Sequence, residues 1–191
     1  MRRSIGRYGL LRRRAMLTML LGALAAPGLA LAEVKSVPRS HGKRTLTIVP
    51  YAGTEAPGTI IISNERRILQ RVLPGGKAEQ YEISVGRDGF GWTGVTRVGR
   101  KAEWPAWRPP AAMRQRDPSL PDYVPPGPYN PLGARAIYLY ANGRDTLYRI
   151  HGTNSAETVG GYETSGCFRL SNADVMELFE KVANGTKVIV F

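Results

Sequence analysis

The sequence predicts a mostly β fold, a sandwich or meander, with one well-defined helix near the C terminus and a long lid rich in proline and tryptophan. Three patterns predict it. Short runs of branched and aromatic residues alternate with Gly, Pro and Asn, the arrangement of strands and their turns. A single stretch carries apolar residues at helical spacing. Nine of the 14 prolines fall between Gly86 and Ala134, alongside Trp92, Trp104 and Trp107. Proline at that density does not fit a ladder, because it lacks the N–H that a strand donates.

Reading from the start, residues 1–32 hold six arginines and no acid, then the apolar run Ala15–Leu24 and the small-residue sequence Ala30-Leu31-Ala32. Basic, then apolar, then A-x-A is the order of a secretory signal peptide, with cleavage expected after Ala32. Pro27 and Gly28 interrupt an apolar run already shorter than the ~20 residues of a spanning helix. Once the leader is cleaved, no membrane span is expected. Arg13-Arg14 ahead of Ala15-Met16-Leu17 resembles a twin-arginine signal, and an ordinary secretory signal fits equally. Residues 33–44 form a flexible segment ahead of a folded domain expected over 45–191.

Strands are predicted at Thr45–Val49, Thr59–Ser63, Arg67–Leu73 and Gln80–Val85. Turns at Ser63–Arg66 and Pro74-Gly75-Gly76 join them into a β-meander, since Gly and Asn accept the positive φ that tight turns need. Residues 86–134 then form the lid. Its interleaved aromatics argue for packing, whereas a disordered linker would carry Ser, Gln and Lys instead. Trp104 and Trp107 are expected to wall a cleft and touch its substrate. Alternation returns at Ala136–Tyr140 and Thr146–Ile150, joined across Asn142-Gly143, and the second strand delivers His151. Ser171 or Asn172 caps a helix with Val175, Leu178, Phe179 and Val182 on one face. Asn184-Gly185 ends it, and Lys187–Phe191 is a terminal strand.

Composition bounds the function. The 191 residues, 42% apolar and 22% charged, suit one folded domain and a leader. Beyond the leader, 21 basic and 15 acidic residues leave a net charge of +6. These cations are scattered and match no nucleic-acid motif, so they are expected to form a soluble face. A single cysteine excludes an internal disulfide and any zinc site built on several thiolates, and no metal is expected.

That cysteine, Cys167, has several readings in an exported chain: a buried small hydrophobe, an intermolecular disulfide partner, a lipid anchor or a nucleophile. Its distance from the cleavage site excludes lipidation. Ser165-Gly166-Cys167 sets small residues where backbone N–H groups approach a substrate oxygen, the makings of an oxyanion site. A nucleophilic thiol requires a base, and histidine serves near neutral pH. The chain has two, His41 in a basic stretch behind the leader and His151 at a strand end. A nucleophile and a buried thiol, a base and a satisfied strand-end histidine, all remain open on these residues alone.

Taken together, His151-Gly152-Thr153-Asn154, Val159-Gly160 and Thr164-Ser165-Gly166-Cys167-Phe168-Arg169-Leu170, followed by a helix and Gly185-Thr186-Lys187-Val188, resemble the signature of L,D-transpeptidases with a YkuD-type catalytic domain. The resemblance runs from about Thr45 to Phe191. It implies that fold type, export to the periplasm, and action on peptidoglycan stem peptides without a cofactor. It implies Cys167 as the acylated nucleophile, His151 as general base and Gly152 as the residue orienting the imidazole through its carbonyl. It further implies Gly166 and Cys167 amides as the oxyanion hole, and Arg169, Ser165, Thr164, Thr153 and Asn154 as substrate contacts. The acyl acceptor is then a second stem's amine or an outer-membrane protein or lipoprotein. Water as acceptor would make the chain a carboxypeptidase or cross-link-cleaving amidase, and an inert cysteine would leave a wall-binding module. In two places the chain departs from the family pattern. Ser165 stands where many members have a histidine, and Trp92-Thr93-Gly94 lacks the proline of the usual Thr-Pro-x-Gly element.

Overall fold

The computed structural model describes residues 42–191, so the leader, most of the flexible segment and His41 lie outside the described residues. Within them the chain is mostly β. The strands are β1 (Thr47–Pro50), β2 (Ile60–Ser63), β3 (Ile68–Leu73), β4 (Lys77–Glu82), β5 (Val85–Gly86) and β6 (Gly94–Glu103). After a short helix α1 (Ala111–Arg116) come β7 (Arg135–Ala141), β8 (Arg144–His151), β9 (Tyr162–Thr164) and β10 (Phe168–Arg169). Helix α2 (Asn172–Lys181) and β11 (Lys187–Val190) complete the described chain.

Nine strands make one sheet in the order β1-β4-β3-β2-β11-β6-β7-β8-β10, and β5 pairs with β9 separately. The meander expectation holds for β2, β3 and β4, each antiparallel to the next. β1 departs from it by crossing to the far side of β4, with Thr47 opposite Gln80. The last strand is inserted at the centre: β11 runs parallel to β2 and antiparallel to β6. That position explains its apolar sequence, since Val188 and Val190 are both buried.

The lid expectation needs correction. Residues 86–134 are not one irregular insert, because Gly94–Glu103 is a ten-residue strand in the middle of the sheet. Thr96 and Val98 point into the core at strand spacing. All nine prolines lie beyond Trp104, so the irregular stretch is 104–134 and includes α1. Composition averaged over the longer window concealed a strand that carries no proline at all.

Helix α2 buries Val175, Leu178, Phe179 and Val182 against the sheet core formed around Ile60, Leu69, Tyr81, Ile137, Leu139 and Ile150. Ser171 is its N-cap, with Oγ accepting from the Asp174 N–H at 3.1 Å. At the other end Lys101 of β6 donates Nζ to the Val182 carbonyl at 2.6 Å. The helix therefore stops before Asn184-Gly185, its last carbonyls satisfied from a different strand. Asp174 is wholly buried and its carboxylate accepts from the Thr45 N–H and hydroxyl, the latter at 2.9 Å. This ties the start of the domain to α2. No helix among the described residues is long and apolar enough to cross a membrane.

Candidate active site

β8 and β10 bring the two candidate residues onto one strand pair, with His151 two positions along from Cys167. They pair in parallel, with Phe168 beside Ile150 and Arg169 beside His151. The Leu170 N–H continues the ladder to the His151 carbonyl at 2.9 Å. Cys167 immediately precedes β10, so the end of one strand and the start of the other carry the imidazole and the thiol.

The turn holding Cys167 is over-determined. Thr164 Oγ donates to the Cys167 carbonyl at 2.6 Å and accepts from the Gly166 N–H at 3.2 Å. Gly166 has φ +103°, and a Cβ there would meet Tyr148 Cε1 at 2.5 Å and the Phe90 carbonyl oxygen at 3.0 Å. Glycine is required for both reasons. Trp92 braces the same turn: its indole N–H donates to the Gly166 carbonyl, and its ring stacks on Tyr148 with centroids 4.5 Å apart. Of the two amides expected to form the oxyanion hole, the Gly166 N–H donates to Thr164 Oγ and the Cys167 N–H has no acceptor among the described residues.

His151 is buried, and its Nδ1 lies 2.6 Å from the Gly152 carbonyl oxygen. A carbonyl only accepts, so Nδ1 carries the proton and Nε2 keeps its lone pair. Burial pushes the imidazole down to about 4; the charges of Arg169 and Arg149 act in the same direction, and the Gly152 hydrogen bond opposes them. The ring is therefore neutral near pH 7. Burial likewise pushes the Cys167 thiol up, while the Arg149 N–H and guanidinium pull it back. Its Sγ lies 3.8 Å from the Leu147 carbonyl oxygen, and Leu147 itself sits at φ +65°. An imidazole lowered by burial and a thiol raised by it do not form a standing ion pair near pH 7.

A cleft of about 550 Å³ opens on Cys167. Of the residues expected to contact substrate, Ser165 and Trp107 line it. The others are engaged elsewhere. Thr153 is held by Asn172 through both backbone groups, and Asn154 donates to the Tyr129 carbonyl at 3.1 Å. Trp104 donates its backbone N–H to the Ala134 carbonyl and is exposed. Arg169 donates to the Thr158 carbonyl at 3.1 Å and lies 3.7 Å from Glu163. Neither it nor His151 lines the cleft.

Sequence reasoning missed Asn172 as a structural staple. Its Oδ1 accepts from the Ala134 and Thr153 N–H groups at 2.9 and 3.1 Å, and its Nδ2 donates to the Thr153 carbonyl at 2.7 Å. Gly133 and Gly152 are glycines because a Cβ at either would collide with that Oδ1. No local signal announced this: the residue looked like a helix cap, and its partners are 19 and 38 residues away.

Known proteins resemble this chain in sequence and fold. The family profile described as L,D-transpeptidase catalytic domain, YkuD, matches residues 57–190. ErfK/SrfK, a probable L,D-transpeptidase of Escherichia coli, is 37% identical over 163 residues, which is 80% of this chain and 50% of that protein. A solved structure from Brucella melitensis, described as a probable carnitine operon oxidoreductase, is 38% identical, with a TM-score of 0.54 over 80% of this chain and 99% of its own. An L,D-transpeptidase from Mycobacterium tuberculosis, 15% identical, shares the fold at a TM-score of 0.51 over 70% of this chain and 57% of its own. The chain spans about half the length of the curated E. coli relative.

Proposed function

The chain belongs to the YkuD family of L,D-transpeptidase catalytic domains, and on that premise we propose that it is an exported acyltransferase acting on peptidoglycan stem peptides through a thioester on Cys167. One observation carries the reading. The parallel pairing of β8 with β10 puts a buried histidine, its Nδ1 tied to the Gly152 carbonyl, opposite Arg169, two residues past the one cysteine of the sequence, whose braced turn opens on a cleft.

The chemistry follows from that pairing. Sγ of Cys167 attacks the carbonyl of the amide joining the diamino acid of a tetrapeptide stem to its terminal D-alanine, and Nε2 of His151 takes the thiol proton. The Cys167 N–H stabilises the oxyanion as the tetrahedral intermediate forms. Collapse breaks the C–N bond, the imidazolium returns its proton to the departing amine, and D-alanine leaves a thioester behind. An amine then attacks the thioester, giving up a proton to His151 and releasing the thiol. The acceptor is a second stem's diamino acid or a protein of the outer membrane. With Ser165 beside Gly166, no second imidazole stands next to the glycine, so the proton transfers fall to His151.

Incubating the mature protein with purified muropeptides and identifying the products by mass tests this directly. Cross-linked dimer or protein-linked stem is the expected product, with intact-protein mass showing one acyl adduct that Cys167→Ala abolishes. Free tripeptide without dimer would make water the acceptor and the chain a carboxypeptidase. Absence of any adduct on the wild type would remove the acyl-enzyme reading altogether.

A further inference from the structure

The cleft that opens on Cys167 is lined by four arginines, Arg100, Arg108, Arg116 and Arg149, and by no carboxylate. Arg149 is paired, its guanidinium bonding both oxygens of Asp145 at 2.7 and 2.9 Å. The other three have no acidic partner among the described residues. Each lies on an aromatic face instead: Arg100 on Tyr138 at 3.6 Å, Arg108 on Tyr123 at 4.5 Å and Arg116 on Phe90 at 4.9 Å. Stacking fixes the plane of a guanidinium and leaves its N–H edge free, the edge that matches a carboxylate in fork geometry.

These three residues come from β6, from the segment after Trp107 and from the last turn of α1, eight positions apart in each case. Scattered cations on a solvated face do not converge. Here like charges share one concave wall beside the thiol, an arrangement that costs repulsion when empty and is relieved by an anion.

We propose that Arg100, Arg108 and Arg116 form a carboxylate-binding subsite of the Cys167 cleft, which selects peptides bearing free side-chain carboxyl groups over the same peptides with those groups amidated. The identity of the peptide rests on the acyltransferase reading above; the charge preference rests on the three guanidiniums. An amide matches the fork poorly, offering one neutral oxygen where a carboxylate offers two charged ones.

The test uses two synthetic stem tetrapeptides that differ only in carrying free or amidated side-chain carboxyl groups, titrated calorimetrically against the Cys167→Ala protein. The acid form is expected to bind at least about tenfold more tightly, the scale of one charge-assisted hydrogen bond. The preference should shrink as salt rises. Combining Arg100→Gln, Arg108→Gln and Arg116→Gln should abolish it, with Lys at the same positions restoring part of it. Should the triple variant fail to fold, each single Gln variant reads the same ratio and should lower it. Equal binding of the two peptides, binding of neither, or an undiminished ratio in folded variants would each overturn the subsite. Wild-type protein incubated with the acid peptide and weighed intact separates the two claims: arginine-dependent binding without a thioester defeats the acyl-enzyme and leaves the subsite standing.

Discussion

Trp92 donates its indole N–H to the carbonyl oxygen of Gly166 at 3.0 Å, across 74 residues of sequence. The Trp92 carbonyl is held in turn by the Asn64 amide at 2.8 Å. The segment entering β6 is thereby clamped to the turn that carries Cys167, and the position of the thiol depends on a contact made far from it in the chain.

Trp92→Phe keeps a ring against Tyr148 and removes only the donor. Displacements of about 1 Å at a reacting atom cost up to ~10²-fold in rate. Acylation of Cys167 by a carbapenem, followed by intact mass, is expected to slow by about tenfold or more with little change in melting temperature. An unchanged rate in a folded variant would show that Thr164 alone holds the turn.

Gly166→Ala places a β-carbon against Tyr148 in a backbone conformation that L residues avoid. Stability should fall by about 2 kcal/mol or more, read as a lower urea midpoint at constant slope. The variant that does fold should acylate more slowly than wild type, because the turn can relieve the clash only by moving Cys167. Wild-type stability would mean that Tyr148 swings aside at no cost.

His151 makes the protein's stability depend on pH in a defined window. Its folded value is pushed down to about 4, whereas an unfolded imidazole titrates near ~6.5. Between these values the unfolded chain binds more protons, so stability falls as pH drops from about 6.5 towards 4 and the contribution is fully present above. The loss is on the order of 3 kcal/mol across the window. Urea midpoints measured over this range should therefore drop less in His151→Gln than in wild type. Parallel curves would mean that the folded imidazole titrates normally. The same variant should lower acylation by ~10² or more.

Alkylation of Cys167 by the neutral reagent iodoacetamide follows thiolate content. With burial raising the thiol, the rate should climb through the alkaline range above the ordinary thiol value and show no plateau near neutral pH. A flat rate from pH 6 to 8 would mark a standing thiolate and contradict the neutral pair.

Asn172→Ala strips the partners from the Ala134 and Thr153 N–H groups and the Thr153 carbonyl, all inside the protein. Unpaired buried groups cost ~1–3 kcal/mol each where water cannot reach them, so a loss of about 3 kcal/mol is expected in urea unfolding. A loss below about 1 kcal/mol would mean that water replaces the side chain.

Much of this fold was legible because its signals are local. Short runs of branched and aromatic residues announced β2, β3, β7, β8 and β11, and the spacing of Val175, Leu178, Phe179 and Val182 announced α2, since burial of one helix face repeats with the geometry of the element itself. β6 was the failure. Its Thr96 and Val98 follow strand alternation, but they were read inside a window whose prolines all belong to the next segment. Order in the sequence also made Cys167 and His151 candidates, because a strand end and a Gly-Cys turn are short-range patterns.

What the chain could not disclose by itself is everything decided by closure of the sheet. Inserting β11 between β2 and β6, and sending β1 across to β4, are choices among pairings of similar local propensity, settled only when all the apolar faces are buried together. The Trp92 clamp, the Asn172 staple and the convergence of Arg100, Arg108 and Arg116 follow from that closure. Sequence determined most of the strands and where a lone thiol and a strand-end histidine stand along the chain. Tertiary structure decided what surrounds that thiol, because hydrogen bonds and charges act over a few ångströms of space whatever their separation along the chain.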